Sequence, residues 1–352
     1  MENNILISFR TDKETKENAD SVLKELGLPM STALNIFLKQ CARVKGIPFP
    51  LILNTPVKEK ELLVNKSTTE NERIIPLFLD LTGTTDILLN GGVENVKRFF
   101  DAIRRLQYDL DARVLITIVT GSDCEAAHAK YISFKNLADN DGLVGLFAGV
   151  VAEYCGYLVN DDGVQELIRI AEPIEKNKQK IEELAKRFGG SINPNNRSYY
   201  NVKFDSDDVI EEDLNTFAKD VLTLINDDTI EALVYFDDYG KEVDIKSKSH
   251  KKSRAVNEIV KDLSKKYVIK DALVGGDSKK EDLDMYLINK DRFAAMGINF
   301  GFIAPKSIGD LSEIDGNIFV GKWDNAFGII DCIYQLCSKK TESSGSKCKS
   351  IK

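Results

Sequence analysis

IIPLFLDLTGTTD, residues 74 to 86, decides the fold. A β-branched and aromatic apolar run stops abruptly at a carboxylate, Asp80, and a Thr-Gly-Thr turn follows. Apolar residues without polar alternation mark a strand buried on both faces. Asp80 then stands at the carboxyl end of such a strand, where open α/β sheets bind their ligands. Alone, an aspartate in this place is equally a turn former. The pieces that follow it settle the reading.

Val93 to Leu106 carries Val93, Val96, Phe100, Ile103 and Leu106 at helical spacing. Arg113 to Thr120, RVLITIVT, is a second buried strand that also ends in a small polar turn, Thr120-Gly121-Ser122. Strand, helix, strand in this order implies a parallel pair with a right-handed crossover, so Asp80 and Thr120 belong side by side. Far downstream, HKKSRAVNEIVKDL opens a helix at Lys252, and DALVGGDSKKEDLD gives a third strand, Ala272 to Val274, running into Gly275-Gly276-Asp277 with Asp282 five positions on.

Together these four pieces resemble the motifs of the haloacid dehalogenase-like (HAD) superfamily, and the likeness extends from about Ile74 to Cys337. EYCGYLVNDDG, from Glu153, and KSRAV, from Lys252, are similar to segments that flank the large cap of its sugar-phosphatase-like branch. The resemblance implies an α/β class: a Rossmann-like core of parallel sheet and flanking helices, with an α+β cap insertion. Core is expected over 74–160 and 246–338, and cap over 161–245. In the cap, Ile174–Phe188 and Ile210–Ile225 read as helices, and Tyr199–Phe204 and Ala232–Phe236 as strands. GINFGFIAP and NIFVGKW read as the last core strands, Ala326–Cys337 as the final helix, and 339–352 as a disordered lysine- and serine-rich tail.

The resemblance also implies chemistry. Asp80 would be the nucleophile of an aspartyl-phosphate mechanism, Thr120 a donor to a phosphoryl oxygen, and Lys252 the cation that neutralises developing charge. Mg2+ suits an all-oxygen, histidine-poor site; its ligands would be Asp80, the backbone carbonyl of Thr82, Asp277 and Asp282. Position 82 departs from the phosphatase pattern, in which a second aspartate protonates the leaving oxygen and then activates water. Thr82 has no group that titrates near neutral pH, and positioned acid–base catalysis contributes about 10²- to 10⁴-fold. The site is therefore expected to be a slow phosphatase or phosphotransferase acting on a phosphorylated small molecule. The alternative is a non-enzymatic regulator whose second unit senses such a ligand or binds a protein partner. Asp86 reads as a surface cap rather than a substitute acid, and His128 and His250 as solvated. The acidic run from Asp205 to Asp213 lacks the glycine-bearing spacing of a calcium loop and reads as a polar helix start.

Upstream, residues 1–53 read as strand, helix, helix. Ile5 to Thr11 alternates with period two, Asp12 caps a helix through Ala19, Val22, Leu23 and Leu26, and Ser31 caps a second that carries Ala33, Leu34, Phe37, Leu38 and Cys41. So short a unit cannot build a core alone and is expected to pair with a second copy. The segment closely resembles the RelB/DinJ antitoxin family of ribbon-helix-helix proteins, ending in Ile47-Pro48-Phe49. That implies a homodimer whose paired strands read the major groove of operator DNA, with Leu6, Ser8 and Arg10 toward base edges and Ser31 and Thr32 holding a phosphate. It also makes a toxin protein a possible partner; a dimerisation module alone is the other reading. Seven basic and six acidic residues in this unit give little nonspecific pull on DNA. Residues 54–73 read as a linker.

The whole chain bounds these readings. It has 352 residues, 43% hydrophobic and 30% charged, so it can bury a core and needs more than one domain. A net charge of -8 excludes a general polyanion binder. Six cysteines without a C-x-x-C pair, and two histidines, disfavour zinc and fit a reduced cytoplasm. The longest apolar run, Leu143 to Ala152, is too short to span a bilayer, so no membrane role is expected.

Overall fold

The computed structural model describes residues 72–345 except 91, 238, 239, 312, 315 and 316, together with 12, 13, 16, 20, 30, 31 and 34. The chain divides into two units, Met1–Ser67 and Thr68–Lys352. In the first, Lys13, Lys16 and Asp20 are helical, and the Lys16 amide donates to the Asp12 carbonyl at 3.2 Å, which starts a helix at Asp12 as read. Met30, Ser31 and Leu34 are helical too. Ser31 is thus inside its helix rather than at the cap. Leu6, Ser8, Arg10 and Thr32 lie outside the described residues.

The second unit is built on a nine-stranded sheet. In chain order its strands are β1 (Arg73–Leu79), β2 (Arg113–Val119), β3 (Phe147–Ala152), β4 (Tyr157–Asn160) and β5 (Gly163–Glu166). After a four-stranded insertion, β6 (Gly190–Ile192), β7 (Tyr200–Phe204), β8 (Ile230–Asp237) and β9 (Gly240–Ser247), the sheet resumes with β10 (Val268–Ile269), β11 (Asp271–Gly275), β12 (Asn299–Ala304) and β13 (Ile318–Val320). The order is β13-β12-β11-β1-β2-β3-β4-β5, with β10 also beside β1. All pairs from β13 to β3 are parallel, and β4 and β5 add an antiparallel edge.

The apolar run at 74–79 takes the central place because both of its faces are covered. Ile75, Leu77 and Leu79 join one cluster with the helices Val93–Leu110, Cys124–Asn140 and Asn325–Gly345. Phe78 joins the other, with Lys252–Leu263, Asp282–Leu287 and Lys290–Ala295. Alternate residues of one strand thus feed two helical layers. Pro76 has no N–H to give, and central strands rarely hold proline. It is accommodated where the neighbouring strand is interrupted: β10 pairs with Arg73 and Ile74, and the pairing with β11 begins only at Leu77.

The insertion between β5 and the Lys252 helix is an antiparallel sheet, β6-β7-β9-β8, over its own core of Ile181, Leu184, Val202, Phe217, Val243 and Ile245. The single helix read over 174–188 is two, Glu172–Lys176 and Lys178–Arg187, joined at Asn177, whose side chain donates to the Pro173 carbonyl. The acidic run does lead into a helix, Glu211–Ile225, and the Ile210 amide donates to Asp213 Oδ2 at 3.0 Å. The last helix reaches Gly345, so the expected tail is helical through its first residues; 346–352 lie outside the described residues. Cys124, Cys155, Cys332 and Cys337 are buried free thiols. No helix among the described residues is long and apolar enough to cross a membrane.

Candidate active site

Parallel strands end together, and here the ends of β1, β2 and β11 carry the polar residues. Asp80, 5% exposed, follows β1 directly. Its amide donates to the Gly275 carbonyl at 2.9 Å and its own carbonyl accepts from Thr85 Oγ1 at 2.7 Å, so the turn behind it holds its backbone in place. Gly83 completes that turn with φ +71°, and a Cβ there would lie 2.3 Å from Asp277 Oδ2. Only glycine admits both that conformation and that approach. Gly276 plays the same part for Asp282, whose Oδ2 would be 2.2 Å from an added Cβ.

The carboxylates of Asp80, Asp277 and Asp282 have oxygens within 4.8 Å of one another. Lys252, at the start of its helix and 5% exposed, donates to Asp80 Oδ1 at 2.6 Å and to Asp282 Oδ1 at 2.7 Å. The other oxygen of Asp282 accepts from the Ser278 amide at 3.0 Å. Burial pushes the Asp80 carboxyl up to about 8, against the pull of Lys252 and with a further push from Asp282 and Asp277. Burial likewise raises Asp277, helped by Asp282, while Asp282 and Asp80 hold the Lys252 ammonium well above its ordinary range despite its burial. Three carboxylates share one ammonium, and the deficit of positive charge fits a divalent cation. Ligand oxygens of an octahedral magnesium lie about 3–4 Å apart, within the 4.8 Å that bounds these oxygens.

Thr120 ends β2, its amide donating to the Val151 carbonyl at 2.9 Å and its hydroxyl to Ser122 Oγ at 3.1 Å. Asp80, Thr82, Thr120, Lys252, Asp277 and Asp282, the residues singled out in the second unit, all line one cleft of about 550 Å³. Its opposite wall is the four-stranded sheet. Asp86 is half-buried, and its backbone carbonyl accepts from the Leu89 amide at the start of the Ile87–Asn90 helix. His128 is exposed, as read. His250 is not solvated: it is fully buried, and neither ring nitrogen has a partner among the described residues. Its place at the turn between β9 and the Lys252 helix, near Lys246 and Arg254, overrides the lysine-rich sequence around it; burial pulls its pKa down to about 4.

Several residues of the cleft were given no role from the sequence, Tyr154 among them although it lies in the EYCGYLVNDDG segment quoted above. Tyr154 stands with Glu153 in a corner after β3, at φ 62° and 53°, conformations rare for residues with side chains. The Tyr154 amide donates to the Thr120 carbonyl and the Glu153 amide to that of Ser122, both at 3.0 Å. The Tyr154 ring lies over Gly121, where a Cβ would be 2.7 Å from Cζ. Its hydroxyl donates to Asp244 Oδ2 at 2.6 Å and the Lys246 ammonium sits 3.3 Å from the ring centroid. Glu281, next to Asp282, accepts from the Tyr235 hydroxyl at 2.7 Å. Strand β9 itself, GKEVDIKS, was detectable: Val243 and Ile245 point into the cap core while Glu242 and Asp244 line the cleft, a period of two.

Residues 4–74 match the family model of the RelB antitoxin. No curated protein matches the chain in sequence. Among solved structures, Thermoplasma acidophilum 0175 superposes with a TM-score of 0.52 at 15% identity, covering 76% of this chain and 99% of that one. BT1666 from Bacteroides thetaiotaomicron, described among phosphatases of the haloalkanoate (HAD) superfamily, gives 0.46 at 14% identity, covering 80% and 99%. The HAD subclass IIB sugar phosphatase BT4131 gives 0.39 at 14%, covering 65% and 93%. Residues 4–74 are thus similar to the RelB antitoxin, and the chain shares the fold of the Thermoplasma acidophilum 0175 structure over 76% of its length.

Proposed function

We propose that residues 74–338 form a magnesium-dependent phosphoryl-transfer domain, a core built on the nine-stranded sheet with the β6–β9 insertion as its cap, that works through a phosphorylated Asp80. The observation that carries this is the convergence of Asp80, Lys252, Asp277 and Asp282 at the ends of neighbouring elements, inside a cleft roofed by the cap. Asp80 attacks phosphorus, and the leaving oxygen departs toward the cap. Lys252 fixes the Asp80 carboxylate and offsets charge on the phosphoryl oxygens, and Thr120 donates to one of them. Asp80, the Thr82 carbonyl, Asp277 and Asp282 would hold magnesium, which would supply the remaining positive charge. Thr82 lines the cleft where an acid would stand and can offer no proton, so acyl phosphates and other esters with good leaving groups are the better substrates, and hydrolysis of the aspartyl phosphate is slow.

The first unit, on this reading, is a homodimeric operator-binding domain, with Leu6, Ser8 and Arg10 reading bases and Ser31 and Thr32 on a phosphate; a toxin protein is a second partner in keeping with the family match. A soluble cytoplasmic regulator whose DNA contact responds to the second unit is the function this combination supports best.

Purified chain with magnesium, mixed with acetyl phosphate and with p-nitrophenyl phosphate, tests the second unit. An acid-trapped phosphoprotein that disappears in Asp80→Asn, and faster release in Thr82→Asp, are expected. No phosphate incorporation and no release would leave the ligand-sensing reading. A gel shift on the DNA upstream of its own coding sequence, weakened in Arg10→Ala, tests the first.

A further inference from the structure

We infer that Tyr235 and Lys246 of the cap are positioning residues that hold Glu281 back from Lys252, leaving one N–H of the lysine for the incoming phosphoryl group. The inference rests on the phosphoryl-transfer reading and adds to it a control exerted by the cap. Glu281 immediately precedes Asp282 in the turn after β11, and Ser278 binds the two together. The Ser278 hydroxyl accepts from the Glu281 amide and its carbonyl from the Asp282 amide, each at 3.1 Å, while its own amide donates to Asp282 Oδ2. The Glu281 side chain, 18% exposed, lines the cleft. A fourth carboxylate thus stands beside the cluster of three that Lys252 serves.

A lysine ammonium has three N–H groups to give. Lys252 gives one to Asp80 Oδ1 at 2.6 Å and one to Asp282 Oδ1 at 2.7 Å, and the third meets no acceptor within hydrogen-bond distance among the described residues. Glu281 Oε2 is 3.9 Å from the same nitrogen, so a movement of about 1 Å would bring it into range. Hydrogen bonds between ionised partners are the strong ones. An unrestrained Glu281 would therefore take that N–H, and its charge would repel a phosphate. The restraint comes from the cap. The Tyr235 hydroxyl on β8 donates to Glu281 Oε1 at 2.7 Å, and the Lys246 ammonium on β9 lies 4.0 Å from that same oxygen. Lys246 is itself 3% exposed and seated 3.3 Å from the Tyr154 ring centroid, which fixes the point it pulls from.

The test follows the acid-trapped phosphoprotein formed by the full chain from acetyl phosphate with magnesium. Y235F, which removes only the hydroxyl, is expected to slow its formation about tenfold or more, mainly through a higher KM for acetyl phosphate. Adding E281Q removes the competing charge and should restore the rate to within about threefold of wild type. Y235F as fast as wild type, or a double variant as slow as Y235F, overturns the inference; a merely structural loss is not reversed by a second substitution. No phosphoprotein in the wild type is instead a failure of the phosphoryl-transfer reading. The inference is then judged from the nuclear magnetic resonance signal of Lys252 Nζ, identified by its loss in K252M. A shift in Y235F that reverses in the double variant upholds it; an unmoved signal, or a shift that the second substitution leaves in place, overturns it.

Discussion

Replacing Lys252 by methionine keeps the length of the side chain and removes one buried ammonium. That ammonium lies 2.6 Å from Asp80 Oδ1 and 2.7 Å from Asp282 Oδ1, so two charge-assisted hydrogen bonds go and three clustered carboxylates lose their shared cation. Breaking a buried pair by removing one partner costs about 3–5 kcal/mol, because the remaining charge is uncompensated. Burial already pushes the Asp80 carboxyl up to about 8 with the lysine in place. In the variant the carboxylates take up protons rather than stay charged, which holds the cost near the lower end, about 3 kcal/mol. At roughly 2–4 °C per kcal/mol for a domain of this size, K252M should melt about 6–12 °C below the wild type in metal-free buffer at neutral pH. Magnesium separates charge from packing. A cation at 100 times its Kd adds about 2.7 kcal/mol to the folded state, and it should bind more tightly once the ammonium is gone. Differential scanning fluorimetry with and without magnesium reads both effects. A midpoint within about 2 °C of wild type without metal, or a magnesium shift no larger in K252M than in wild type, refutes the reasoning.

Three further outcomes are expected. His250 is buried and neutral with its pKa drawn down to about 4, below the ordinary 6.5; the unfolded chain binds that proton first, so stability is intact above pH 6.5 and falls between 6.5 and 4, by up to about 3 kcal/mol, a slope that chemical denaturation should find reduced in H250L. Gly83→Ala, strained at φ +71° and pressed on Asp277, should lower magnesium affinity and cut kcat/KM by about 10²-fold or more, at a folding cost of about 1–3 kcal/mol. Gly121→Ala drives a methyl into the Tyr154 ring, and kcat should fall and recover in part when Tyr154 is trimmed to leucine, which a steady-state assay of the double variant would reveal.

Much of the core was legible because chemistry and pattern coincide there. Ile74–Leu79 is an unbroken apolar run and Val114–Val119 is broken only by Thr117, and each ends at a residue whose polarity is conspicuous after so much hydrocarbon. Lys252 and Asp282 were placed by motif, and no periodicity would have linked residues 172 and 30 positions apart through Lys252 to one carboxylate cluster. The cap was harder. β9 does alternate, but β6 in the cap is three residues, and β4 and β5 at the edge of the core sheet are four each, too short for a period to declare itself. His250 escapes a sequence reading because its burial comes from elements packed around it, which local polarity does not reveal.

Where core meets cap, the backbone makes a stiff crank rather than a loose joint. Glu153 and Tyr154, both left-handed, are pinned to the Ser122 and Thr120 carbonyls, and the Tyr154 hydroxyl grips Asp244. An occupant that pries at the cap sheet therefore pulls on the tyrosine, and through it on the loop that presents Thr120. Tyr154 is in this way a single aromatic lever between the cap sheet and the end of β2 that carries Thr120.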